Sequence, residues 1–187
     1  MVPEYHLIDC RDHPLRSGFA NLYQVAFAEA PYFETYSVDE VVNNVWNPHI
    51  DGQHCVIVAT LDGAVVGLGC AHSAQDKLST IGVFLAEKAA ENQTVPFNLE
   101  STVYMSELAV GPHARKHGIG TELVKRRMDW ARKSGFTHYC MRTAAVGSNS
   151  RMLYERLGAK IAPFVQSITS EGVVSSSEQR IIMYNSL

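Results

Sequence analysis

LAVGPHARKHGIGTELVKRRMDWA, residues 108–131, decides how this chain is read. Its first residues are strand-like, Pro112 interrupts them, and from Ile119 onward the apolar positions recur at helical spacing. A helix that opens on two glycines, Gly118 and Gly120, presents unpaired backbone N–H groups carrying roughly half a positive charge. With no side chain there to hold an anion at a distance, the turn becomes a cradle for phosphate oxygens. Arg115, Lys116 and His117 stand immediately before it and add donors suited to a pyrophosphate. Taken alone, RKHGIG also fits an ordinary tight turn before a solvated basic helix. The surrounding order of elements decides between the two.

Outward from this stretch, TVYMSELAV (102–110) reads as the strand feeding the helix and THYCMRT (137–143) as the strand that follows it. The helix is expected over Ile119–Lys133, closed by Gly135. Such a strand–helix–strand unit predicts a parallel pair. Upstream, EYHLID is a short strand, and Phe19, Leu22, Tyr23, Ala26 and Phe27 mark a helix between Leu15 and Ala28 that Pro31 stops. Ser37 and Glu40 form an S-x-x-E capping box, which predicts a second helix from Val38 to Trp46 ending before Pro48. HCVIVAT and VVGLGCAH, joined through Asp62-Gly63, read as a tight hairpin. STIGVFLAEKAAENQ predicts a helix of two or three turns ended by Pro96, within a segment, 73–100, read as an insertion on an edge of the sheet. A shorter helix over Ser150–Leu157 stops at Gly158, AKIAPFVQSI and EQRIIMYN form a closing hairpin, and VVSSSE reads as its loop tip.

A chain of 187 residues with 46% hydrophobic content suits one globular domain, 1–187. Its formal net charge of −3 excludes the global basic field of a nucleic-acid binder, so any anion site must be local. Cys10, Cys55, Cys70 and Cys140 lack C-x-x-C spacing, and the first residues lack the apolar core of a signal peptide; both favour a reducing cytoplasm. Eight histidines, of which only His113 and His117 stand at H-x-x-x-H spacing, and the lack of a Cys/His cluster predict no metal. No apolar run reaches the roughly 18 residues of a bilayer span, so neither nucleic acid nor membrane is expected as a partner.

LAVGP followed by Arg115-Lys116-His117-Gly118-Ile119-Gly120 resembles the acetyl-CoA signature of the GNAT N-acetyltransferase family: an apolar strand ending in V-x-P, then [RQ]-x-x-G-x-[GA] opening a helix. LYERLG (153–158) is a second motif of that family in the right order, and the resemblance covers nearly the whole chain except 73–100. It implies an α/β (α+β) GNAT fold: a mixed, mostly antiparallel sheet of about seven strands flanked by helices, with a splayed strand pair that holds acetyl-CoA. Carried onto this sequence, the main chains of Leu108 and Val110 would face the pantetheine arm, and the backbone from Lys116 through Thr121, including Ile119, would hold the pyrophosphate. Tyr154 matches the tyrosine that protonates the departing thiolate, and Glu107 is the implied general base. The family's usual asparagine lies seven residues before the tyrosine, where Gly147 stands; Asn149 is five before it, which leaves its contact with the cofactor open. Tyr32, Phe33 and Tyr36, with Glu34, Asp39 and Glu40 nearby, border the implied pocket for a small-molecule or peptide amine.

Bland readings stand beside these. Glu107 also fits a structural carboxylate, Tyr154 a core aromatic, and the loop aromatics a pin that holds a loop to the core. His72, His138 and Tyr104 are alternative bases. Acetyl transfer to a primary amine by direct attack leads; a non-catalytic acyl-CoA-binding sensor is the alternative, and a dinucleotide oxidoreductase fits poorly because HGIG comes late and lacks a third glycine. An exposed sheet edge at either end allows a homodimer.

Overall fold

A computed structural model describes residues 2–77, 79–167 and 179–187. In chain order the elements are β1 (Glu4–Leu7), α1 (Arg16–Phe27), α2 (Val38–Val41), a π-helical turn (Val42–Trp46), α3 (Asn47–Asp51), β2 (Cys55–Leu61) and β3 (Ala64–Ser73). There follow α4 (Thr80–Ala90), β4 (Thr102–Val110), α5 (Ile119–Lys133), β5 (His138–Ala144), α6 (Asn149–Arg156), β6 (Lys160–Ser167) and β7 (Gln179–Ser186). The strands make one seven-stranded sheet in the order β1-β2-β3-β4-β5-β7-β6. Every pairing is antiparallel except β4 with β5.

That parallel pair is short. Only Thr102–Tyr104 pair with His138–Cys140, after which the two strands part. One face of the sheet carries α5, whose Ile119, Leu123, Val124 and Ala131 pack on Ile57, Met105 and Met183. On the other face, Phe19, Leu22 and Tyr23 of α1 cover Val58, Leu68 and Cys70. Gly67 lets α5 lie directly on β3, since a Cβ there would sit 3.0 Å from both Ile119 and Leu123. Asp62 and Gly63 both adopt positive φ, 50° and 80°, the requirement of a tight hairpin whose twist matches its strands.

Three expectations are corrected. The capping box of Ser37 and Glu40 is formed, yet the helix does not end before Pro48. A wider turn, in which Asn47 N–H bonds to the Val42 carbonyl, carries the chain through the proline to Asp51. In the 73–100 segment, α4 ends at Ala90, with Asn92 at φ 60°, well before Pro96. This segment also does not sit on a sheet edge, because β3 and β4 are central neighbours. The apolar side of α4 (Ile81, Phe84 and Leu85) needs cover and finds it over Cys140, Ile182, Ala162 and Phe164 on the face shared with α1. The loop tip VVSSSE lies outside the described residues. Among the described residues no helix is long and apolar enough to cross a membrane.

Overpacking the contact between β3 and α5 is the cleanest test of this arrangement. Gly67→Val is expected to lower stability by about 1–3 kcal/mol, read as a shifted denaturant midpoint at constant m-value.

Candidate active site

The opening between β4 and β5 is a cavity of about 540 Å³ lined by Leu108, Ala109, Val110, Arg115, Lys116, Gly118, Ile119, Gly120, Thr121 and Asn149, among others. Its upper wall is the mouth of α5. Lys116 and Gly118 both take positive φ, 64° and 80°, and the first helical bond runs from Glu122 N–H to the Gly118 carbonyl. The amides of Ile119, Gly120 and Thr121 therefore precede any intrahelical acceptor and face the cavity mouth. Gly118 is dictated by its backbone angle. Gly120 is not dictated by packing, because a Cβ there would meet Leu153 and Val110 at an ordinary 3.6 Å.

Main-chain polarity along β4 follows from the register. Gly111 N–H bonds to the Val66 carbonyl, and the pairing continues through Ala109–Leu68 and Glu107–Cys70. In an antiparallel ladder alternate residues turn their amides to the partner. Those of Leu108 and Val110 thus point away from β3, into the gap that β5 has left. The Val110 carbonyl is already met by Arg115 Nε at 3.0 Å, while an Arg115 Nη lies 2.6 Å from Glu29. Arg115 thereby ties the turn to the strand and to α1, rather than standing free beside the cradle. His117 does not line the cavity, whereas Asn149 does.

A second cavity of about 210 Å³ adjoins the first, sharing Phe27, Tyr32, Leu108 and Ser150. Glu107 lines it and accepts a hydrogen bond from Tyr23 Oη at 3.1 Å. Burial pushes the Glu107 carboxyl up to about 7; the Tyr23 bond and then Arg142 pull it down, and Glu34 adds to the rise. How Glu107 reaches this face is a bulge: Met105 and Ser106 of β4 together stand opposite Ala71, between the Cys70–Glu107 and His72–Tyr104 pairs. Simple alternation would put Met105 and Glu107 on one side, but Met105 packs in the α5 core while Glu107 meets α1.

Tyr154 has no exposed surface and also borders this second cavity. Its hydroxyl oxygen accepts from Arg127 Nη2 at 3.1 Å. Arg127, fully buried, further donates to the Cys70 and Glu107 carbonyls at 3.0 and 2.8 Å. Burial raises the Tyr154 phenol, and the Arg127 charge opposes that rise. Tyr32 and Tyr36 line the second cavity with Glu34 and Tyr104. Phe33 does not; it is 50% exposed. Glu40 is spent on its capping box, and neither it nor Asp39 reaches the cavity. His72 is buried against His49, His54 and Tyr104, and His138 sits at the paired end of β5 beside Thr137; neither lines either of these two cavities.

Sequence reasoning passed over Tyr23, Arg127, Arg142 and Arg180. Arg127 had a signal: it occupies the third position of the stripe Ile119, Leu123, Arg127, Ala131, where only core residues belong. The others became visible only when the sheet brought α1, β5 and β7 together.

Residues 18–159 match the sequence profile described as the Acetyltransferase (GNAT) family. The chain belongs to that family. Among curated GNAT-like relatives, "Probable N-acetyltransferase camello" of Xenopus tropicalis is 30% identical over 106 residues, 57% of this chain and 38% of its own. "N-acetylaspartate synthetase" of Danio rerio is 26% identical over 127 residues, 68% of this chain and 37% of its own. The matched stretch of this GNAT chain therefore spans well under half the length of either relative. The yncA structure from Salmonella typhimurium, determined with its cofactor acetyl-CoA, shares the fold with a TM-score of 0.69 at 16% identity, covering 99% of this chain and 94% of that one.

The raised Glu107 carboxyl has a consequence for stability. The folded chain holds this proton more tightly than the unfolded one, so ionising the group costs stability as pH rises from about 4.5 through about 7. Glu107→Gln is expected to melt higher than the wild type at pH 8 and to lose that advantage near pH 4, which paired thermal melts across this range would reveal.

Proposed function

We propose that this chain transfers an acetyl group from acetyl-CoA to a primary amine by direct attack, with no covalent enzyme intermediate. The observation that carries this reading is the junction of the two cavities: a helix mouth with open amides that leads along the unpaired amides of β4 to the buried carboxylate of Glu107. The amides from Lys116 through Thr121 would hold the pyrophosphate of CoA, and the bare Gly120 admits it. Leu108 N–H, turned into the gap, would donate to the acetyl carbonyl as it gains negative charge, an effect commonly worth about 3 kcal/mol. Asn149 lies where it can add a polar contact at the same cavity.

The acceptor enters through the second cavity, past Tyr32 and Tyr36. Glu107 takes the proton of the acceptor ammonium, directly or through water; a base near pH 7 is matched to that step. The freed amine attacks the thioester carbon, and the C–S bond breaks. Tyr154 supplies the proton to the departing thiolate and recovers one, directly or through water, from the nitrogen that forms the amide. Because Arg127 is only a donor, the Tyr154 oxygen accepts from it and leaves its own hydroxyl proton free for that task.

Two measurements test this. Calorimetry with acetyl-CoA is expected to give binding at one site, weakened at least tenfold in Gly120→Ala although that variant keeps or gains thermal stability, since alanine fits the helix better than glycine. Thiol release with an amine panel is expected to fall by about 10²–10⁴ in Glu107→Gln and to follow a carboxyl near pH 7, activity being lost below it. Tyr154→Phe should lower the same rate without weakening acetyl-CoA binding. Full activity in both variants would overturn the assigned roles. Binding without amine-dependent thiol release would instead identify a sensor.

A further inference from the structure

The second cavity is lined by four charged side chains: Glu34, Glu107, Arg142 and Arg180. Two of them answer each other. Arg180 lies 3.6 Å from Glu34 and stacks over the Tyr32 ring at 5.1 Å, while Glu34 also accepts from Tyr36 Oη. Glu107 carries the Tyr23 hydrogen bond and, on the reading above, serves the amine. Arg142 is left over. Its Nη1 donates to Gln166 Oε1 at 3.0 Å, and among the described residues it forms no ion pair.

Its place in the sheet matters. Arg142 follows Cys140, the last β5 residue paired with β4, so it sits where the strands have just separated. It shares the Cys140 side of the sheet, the side of Tyr104 and α1, and so looks across the opening toward Glu107. Its field reaches both: the Arg142 charge draws the Glu107 carboxyl and the Tyr104 phenol downward. A guanidinium has five donors in a planar fork that matches a carboxylate, and a single bond to Gln166 leaves most of them for a ligand. A diamine would bring its second cation against Arg142, with Glu34 already engaged by Arg180 and Tyr36.

We propose that the acceptor is a small amine bearing its own carboxylate, an amino acid or close analogue, with the amine at Glu107 and the carboxylate on the Arg142 fork. This rests on the acetyl-transfer reading and names its substrate class. Arg142 is then a specificity-determining residue and takes no part in the bond changes.

The test uses matched acceptors that differ only at the acid: free amino acids, their C-terminal amides, and the corresponding decarboxylated amines, each with acetyl-CoA and the intact chain. The acid is expected to surpass its amide by about 10- to 100-fold in kcat/KM, chiefly through KM, the range of a charge-assisted hydrogen bond. Arg142→Gln should bring that ratio close to one, and Arg142→Lys should restore part of it. Retained acetyl-CoA binding by calorimetry shows that each variant has folded. Amides or plain amines used as well as acids, or an unchanged ratio in Arg142→Gln, would overturn the proposal while leaving acetyl transfer intact. If no acceptor releases thiol, the transfer reading itself fails. The carboxylate site is then judged by titrating amino acid against its amide into CoA-saturated protein: binding of the acid alone, lost in Arg142→Gln, supports it, and equal or absent binding removes it.

Discussion

The structure depends on the early parting of β4 and β5. Parallel pairing lasts for three residues on each strand, and beyond it neither Leu108 nor Val110 has a strand to bond. Unpaired main-chain groups inside a protein are costly unless something meets them. Here they border a cavity that a strand-like ligand arm could fill, so the defect in the sheet and the cavity are the same feature. The crossover that makes the pair parallel also delivers the mouth of α5 to the end of that cavity, because a helix returning from the end of β4 must begin there.

Keeping the cavity open falls to side chains and glycines elsewhere. Gly67 brings α5 against β3, and Gly69 makes room for Arg127, whose Nε would lie 3.0 Å from a Cβ at that position. Among the described residues the buried Arg127 forms no ion pair, although its charge draws the Glu107 carboxyl downward. It is satisfied instead by the carbonyls of Leu123, Cys70 and Glu107 and by the Tyr154 hydroxyl. Burying an unpaired charge normally costs several kcal/mol, and oriented carbonyl dipoles offset part of that. One side chain thus fixes the β3–β4 backbone beneath Glu107 and the phenol of α6 at once. Glu107 itself is held above its ordinary range by burial, a stability cost of the kind that accumulates at catalytic centres.

The second cavity is built from parts distant in sequence. Tyr23 comes from α1, Tyr32 and Tyr36 from the loop after it, Arg142 from β5 and Arg180 from β7. Aromatic faces and two arginines with two acids give this cavity a charge pattern as well as a shape. The same face carries α4, whose packing over β5, β7 and β6 closes the sheet next to the site.

By itself the sequence determined what local chemistry fixes. Hydrophobic period marked β4, α5 and β5, Asp62-Gly63 marked the hairpin, the Ser37–Glu40 pair marked its cap, and HGIG marked the open mouth of α5, because each signal lies within a few residues. Only the tertiary structure decided the rest. The bulge at Met105–Ser106 that turns Glu107 toward α1 depends on pairing with β3, and the passage through Pro48 depends on a π turn that no propensity announces. Arg115, which lines the first cavity, also engages Glu29 and the Val110 carbonyl, a contact with α1 from across the fold that no local signal marks. The partners of Arg127 and Arg142 likewise come from strands far along the chain. Charges and registers are set by neighbours in space, and a linear pattern carries no record of them.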